Sequence, residues 1–308
     1  LFETIGGADR PNLAHVLADG TVDLAFLPQR PNGHVIALAL YDGVLYVGGE
    51  FTDIIRRQSY CAAFDAFSGR PIAWDPKVNG YVSEIAVSEN LVFMKGAFSE
   101  VLGVSRDELV AVTRVNAELA EWNPAPNNSV EELLIHGDRL LVGGTFRRLA
   151  GEERNGVAAF DLNSLELLQF DTQIDADIKA MAADDERLYI AGKFNWLGNI
   201  RTRNIAALDI NTGVELDWGT LFPEGIEAIA VVESSVFVGG HFNPDGEVRS
   251  GTLVELDKAT GIPTSFDYGI TGRIDDLAAS GSSLLAAGRV ERLPESRDGI
   301  AAVDLVTG

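Results

Sequence analysis

The chain has 308 residues, 46% of them hydrophobic, with 32 Gly, 11 Pro and a single Cys, which suits an ordered, turn-rich β protein and excludes a disordered or disulfide-stapled chain. Lys and Arg number 24 against 46 Asp and Glu, a net charge of -22, so nucleic-acid backbones and anionic membranes are excluded as partners by repulsion. The sequence contains no apolar run of about 18 residues that would cross a bilayer as a helix.

Read from the N-terminus, the first 32 residues look like the second half of a unit that is first complete at 33–79. The stretch 34–40 (H-V-I-A-L-A-L) is a first strand, Tyr41-Asp42-Gly43 a tight turn, and V-L-Y-V-G-G-E-F, closing at Phe51, a second strand. A longer polar segment follows, then a third strand ending at Asp65, a turn closed by Ser68-Gly69, and a fourth strand carrying Trp74. Cys61 falls in the third strand and reads as a small buried hydrophobe.

The unit then recurs. Phe98, Phe146, Phe194, Phe242 and Val290 close M-K-G-A-F, V-G-G-T-F, I-A-G-K-F, V-G-G-H-F and A-A-G-R-V, at steps of 47, 48, 48, 48 and 48 from Phe51. The fourth-strand aromatic falls at Phe26, Trp74, Trp122, Phe170, Trp218 and Phe266, always 48 apart. Asp65, Asp161, Asp209 and Asp257 end third strands and start D-x-x-[ST]-G turns or close variants, where a carboxylate accepts backbone N–H groups; these aspartates read as structural. Each long linker keeps an arginine near its end (Arg10, Arg57, Arg106, Arg154, Arg203, Arg249, Arg297). Their planar five-donor head groups are expected to tie one unit to the next, with Arg154 and Arg203 as examples.

Short antiparallel strands repeated every 48 residues predict an all-β fold, a single-domain β-propeller of four-stranded blades. The approximate units are 1–32 (partial), 33–79, 80–127, 128–175, 176–223, 224–271 and 272–308 (partial). Six blades are preferred, with the segment 12–26 completing the unit begun at Ile274; seven would require strands from outside the chain. Because Leu rather than Met comes first, and no strand precedes Phe2, a piece of a longer protein is expected.

The unit resembles the delta-60 type propeller repeat of large bacterial surface and secreted proteins, and more distantly the fungal cortical markers of the Rax family. The resemblance rests on V-x-x-L-A-x-x-x-G-x-L-Y-V-G-G-x-F, G-x-x-R-N-x-A-A-x-D and an aromatic before N-P or D-P, clearest at 35–76 and 130–171. It implies a propeller in an extracellular setting. Ala63 to Trp74 is also similar to the tryptophan-docking motif of quinoprotein dehydrogenases. Its Asp65-to-Trp74 distance of nine residues is one longer than in that family, however, and Cys61 alone cannot form the adjacent cysteine pair of their quinone pocket.

For chemistry, the long-loop face is the expected site. Its linkers after second strands hold Asp53, Glu100, Glu152, Glu153, Asn195, Trp196, Asn199, Asn243, Asp245 and Glu247, and those after fourth strands hold Asp75, Lys77, Asp171, Asp175, Asp177 and Arg273. Trp74, Trp122 and Trp218 occupy the periodic core position and Trp196 does not, so Trp196 with Asn195, Asn199, His241, Asn243, Asp245 and Arg273 forms the candidate binding set for a protein or glycan. His15, His34, His136 and His241 lack metal-ligand spacing. No catalytic or cofactor motif is present, and calcium is the ion that paired loop carboxylates would suit. A non-catalytic recognition or spacing module is the expected function. A glycoside hydrolase or lyase using carboxylates at the channel mouth, with Asp175 and Asp177 as its acid pair, is the alternative.

Overall fold

In the computed structural model the described residues are 2–54, 58–170, 172, 177–194, 196–197, 200–201, 204–219, 225–241, 253–265, 270–281, 283–292 and 299–305; at 196, 197, 200, 201, 271, 280, 291, 292 and 299 only the backbone is described. All regular structure among them is β. Two compact units divide the chain. The first is Leu1–Ile135 with Leu149–Glu152 and Leu162–Leu165, and the second is His136–Arg148, Glu153–Asp161 and Glu166–Gly308.

In the first unit, strands Val35–Tyr41, Val44–Gly49, Cys61–Asp65 and Pro71–Ile72 form an antiparallel four-stranded sheet, and Tyr81–Val87, Leu91–Ala97 and Leu109–Thr113 form a three-stranded one. The second unit has three such sheets: Asp177–Ala183 with Arg187–Lys193 and Ile205–Asp209; Ile226–Val232 with Ser235–Gly240 and Leu253–Asp257; and Ile270–Ser280 with Ser283–Arg292 and Gly299–Asp304. Arg139–Gly144 also pairs with Val157–Asp161 there.

The expected fourth strand is a correction. It is two residues long in the first complete repeat and, among the described residues of later ones, a one-residue bridge, Val112 with Leu119, Phe160 with Leu167, Leu208 with Glu215 and Leu256 with Pro263. Its length is limited just before the periodic aromatic, where the N–H of Trp74, Phe170 and Trp218 folds back onto the carbonyl two residues earlier (2.8, 2.9 and 2.9 Å), in the repeat that keeps the strand as in those that do not. That fold ends the ladder and turns the ring into the core.

The core lies between consecutive sheets. Trp74, Tyr46, Val82, Ile85 and Met94 share one cluster and Trp218, Tyr189, Ile226, Ile229 and Val238 another. Within a repeat, the second-strand aromatic meets the later one edge to face: Tyr46 and Trp74 at 5.1 Å, Phe93 and Trp122 at 5.4 Å, Tyr189 and Trp218 at 5.1 Å. This is the geometry that ring quadrupoles favour. Cys61 is buried in the same core, which pushes its thiol pKa up and leaves it unreactive.

The glycine pair of the second strand has two distinct causes. The first-strand partner is bulged at the same point in five repeats, as between Val35 and Ala37 or Ile178 and Ala180. This presses a carbonyl oxygen against the second glycine. A Cβ on Gly49 would stand 2.0 Å from the His34 oxygen, and one on Gly192 1.9 Å from that of Asp177. The first glycine instead faces the next sheet, where a Cβ on Gly48 would meet Val82 Cγ1 at 2.8 Å. The second position is therefore glycine in all six repeats, whereas the first admits Lys95, Ala191 and Ala287.

Candidate functional site

The linker between second and third strands, expected as irregular, contains a small hairpin. Glu100–Val101 pairs with Val104–Ser105, Thr4–Ile5 with Ala8–Asp9, and Trp196–Leu197 with Ile200–Arg201. The turns of the first two have two consecutive positive φ angles, 52° and 78° at Leu102 and Gly103 and 52° and 77° at Gly6 and Gly7, which the x-G and G-G pairs supply. The turn hangs on the preceding repeat, with Leu102 N–H donating to the Pro76 carbonyl at 3.1 Å and Ala150 N–H to that of Pro124 at 2.5 Å. This accounts for the aromatic-x-Pro segment. Asn32 and Asn79, 47 residues apart, pin the loops: Asn32 Oδ1 accepts the N–H of Thr52 and Asp53, and Asn79 Oδ1 those of Ser99 and Glu100 (2.9 and 3.0 Å in each case). The spacing of Asn32, Asn79 and Asn127 was the signal that sequence reasoning missed.

Of the candidate binding set, Asn195, Asn199, Asn243 and Asp245 lie outside the described residues, as do Arg203, Asp171 and Asp175. Trp196 begins its short strand. His241 is exposed, with its N–H donating to the Gly225 carbonyl at 2.8 Å. The Arg273 guanidinium pairs with Asp275 at 2.6 Å. Side chains are thus described for only His241 and Arg273 of this set. Trp74, Trp122 and Trp218 are buried. Asp65 Oδ1 accepts from Ser68 N–H at 2.8 Å and its hydroxyl at 2.6 Å, and Asp209 and Asp257 bond Thr212 and Thr260 in the same way. Asp161 ends its strand at the equivalent place.

Arg154 behaves differently from expectation: it donates to the carbonyls of Glu153 (2.7 Å) and Leu168 (3.4 Å), both in its own repeat. The ties to the next repeat come from two other arginines, 48 residues apart. Arg139 donates to the Ile210 and Asn211 carbonyls at 2.8 and 3.1 Å, and Arg187 to the Lys258 carbonyl at 2.6 Å. Both sit at the hairpin between first and second strands, the end of the sheets opposite the long loops.

At that end of the second unit lies an open groove of about 450 Å³, lined by Asp184, Asp185, Glu186, Arg187, Ser234, Asp257, Lys258 and Ala259. Asp184 organises it, accepting the N–H of Glu186 and Arg187 (2.9 and 2.8 Å), the Tyr189 hydroxyl (3.1 Å) and the Lys258 ammonium (3.0 Å). Burial works to raise the Asp184 pKa, but these donors outweigh it and hold the carboxyl below the usual range. Tyr189 is pushed up by burial and by the Asp184 charge. Lys258 and Arg187 are therefore engaged, while Asp185 and Glu186 are exposed. Among the described residues no group of three His, Cys, Asp or Glu is placed to hold a metal ion.

No protein-family model and no curated protein matches the sequence. Solved structures match in fold. The computationally designed Ika8 protein is similar at 14% identity over 92% of this chain and 74% of its own, with a TM-score of 0.62. The WD40 β-propeller domain of Doa1 is similar at 14% over 94% and 87%, TM-score 0.58, and BamB from Moraxella catarrhalis at 15% over 92% and 85%, TM-score 0.56. The chain has the β-propeller fold.

Proposed function

We propose that this propeller is a non-catalytic recognition module that binds a basic segment of a protein partner in the groove around Asp184. The observation that carries this reading is the groove's charge arrangement. Four carboxylates line it, and its two cations are already occupied by internal bonds. An open trough with fixed walls suits an extended peptide rather than an enclosed small molecule, and the overall charge of -22 draws a cationic segment toward it. The delta-60 resemblance supports placing the module in a larger bacterial secreted or cell-surface protein. For the blade number, six would need the segment 12–26 to pair with Ser283–Arg292. That strand already carries Ile270–Ser280 on one edge and Gly299–Asp304 on the other, which supports seven.

The test is fluorescence anisotropy with labelled Lys/Arg-rich and Asp/Glu-rich peptides of equal length. The basic peptide is expected to bind with an affinity that falls steeply with salt, and Asp185→Lys with Glu186→Lys should abolish binding without moving the thermal midpoint. Equal binding of both peptides, or indifference to the double substitution, would overturn the reading.

A further inference from the structure

Three asparagines of the chain are followed by glycine: Asn32, Asn79 and Asn155. The first two are the residues that pin the long loops, and in both the whole side-chain amide is engaged. Beyond the two loop N–H groups that its oxygen accepts, Asn32 Nδ2 donates to Thr52 Oγ1 at 3.0 Å, and Asn79 Nδ2 likewise to Ser99 Oγ at 3.1 Å. The glycine that follows is obligatory. A Cβ on Gly33 would stand 2.4 Å from the Glu50 oxygen, and one on Gly80 2.0 Å from that of Ala97. The fold therefore demands an Asn-Gly step at each of these loops, and both asparagines are exposed to water.

Asn-Gly is the step at which a side-chain amide is most readily lost, because glycine puts no side chain in the way of its own nitrogen. That nitrogen attacks the asparagine Cγ. The new N–Cγ bond forms, the Cγ–Nδ2 bond breaks, and ammonia leaves with the glycine's proton, so that the main chain holds a cyclic imide. Solvent water then opens the ring at one carbonyl or the other, giving aspartate or isoaspartate. Attack requires the amide to swing toward its own glycine. At Asn32 and Asn79 the three bonds hold it instead to a loop 20 residues away, so the reaction waits on local opening.

We propose that Asn32 and Asn79 are sites of spontaneous deamidation, each gated by the clasp its own amide makes, and that isoaspartate makes the opening of the loop permanent. Aspartate keeps the reach of the asparagine and offers two acceptor oxygens to the loop N–H groups. Isoaspartate routes the main chain through the former side chain. This leaves a carboxylate one carbon shorter and adds a methylene just before a glycine that has no spare room, so the clasp cannot re-form. Asn155 supplies the contrast, because the Gly156 N–H donates to the Phe146 carbonyl at 3.0 Å and the attacking nitrogen is already held. The inference does not rest on the groove around Asp184.

The experiment incubates the whole chain at mildly alkaline pH and follows each Asn-Gly step by peptide mapping, with fragmentation that separates aspartate from isoaspartate. Wild type is expected to react slowly at Asn32 and Asn79 while Asn155 stays intact. Thr52→Ala, at an exposed residue and so compatible with folding, should speed Asn32 about fivefold, the factor carried by one hydrogen bond, and leave Asn79 unchanged. Ser99→Ala should do the reverse. Isoaspartate at position 79 should abolish hydrogen-exchange protection of the Ser99 and Glu100 N–H groups, whereas Asn79→Asp should retain it. Equal rates in wild type and the two variants, acceleration at all three steps alike, reaction at Asn155 first, or protection that survives isoaspartate would overturn the proposal.

Discussion

The Trp218 indole Nε1 donates to the main-chain carbonyl of Lys258 at 2.9 Å, joining the core aromatic of one repeat to the turn of the next. Trp74 does the same to Thr113 at 3.1 Å. The ring therefore fills the core and also closes a junction. Trp218→Phe should cost about 1 kcal/mol, the usual net value of one hydrogen bond, and Trp218→Ala about 3–5 kcal/mol through the cavity it leaves. Urea unfolding with an unchanged m-value checks the order. Equal losses for Phe and Ala would mean that the ring does not fill the core.

Arg187 and Arg154 should separate in a different way. Arg187 bonds across a repeat junction, so Arg187→Ala is expected to lower stability by about 1.5–3 kcal/mol, the range for hydrogen bonds to a charged group. Arg187→Lys should recover only part, because ammonium lacks the planar fork. Arg154→Ala should loosen its own loop, seen as faster hydrogen exchange at Glu153 and Leu168 with the junctions unchanged.

Gly49→Ala and Gly48→Ala, one residue apart, should differ sharply. The former drives a Cβ into a carbonyl oxygen of the bulged partner strand, whereas the latter presses on a Val82 methyl that can shift, and Ala191 already occupies that place in another repeat. Expression and thermal midpoint should be near normal for Gly48→Ala, and Gly49→Ala should fail to fold or melt far earlier.

Acid should find the turns. Hydrogen bonds from the side chains of Ser68, Thr212 and Thr260 hold Asp65, Asp209 and Asp257 below the ordinary value of 3.8. A depressed carboxyl contributes stability above its unfolded value and loses it as pH falls through the folded one. Wild-type stability should thus decline below about pH 4. The triple variant Ser68→Ala, Thr212→Ala, Thr260→Ala should be less stable at pH 7, and its deficit should shrink as the pH drops through that window. Comparing the two proteins at each pH cancels the change in overall charge, and a constant deficit would rule out the coupling.

Periodicity carried the strands, the glycine pair, the turn aspartates and the core tryptophans, because each is fixed by contacts within one repeat or its copy 48 residues on. What local pattern obscured was where the ladder stops: the fourth segment has strand-like residues, but the backbone fold-back before Trp74 and Trp218 cuts its pairing short, to two residues in the one repeat and a single bridge in the other. The arginines show the same limit. Arg154 belongs to the fully periodic series and Arg187 recurs only at Arg139, yet position in space shows that the former reaches its own loop and the latter the next repeat.

The sequence by itself determined that many similar sheets must stack, since every repeat presents apolar strand faces that its own residues cannot cover. Only the tertiary structure decided which faces are in fact covered. Leu38 and Ile85 occupy the same register of the same strand, yet one is exposed and the other buried, because burial depends on the neighbouring backbone and not on the residue itself.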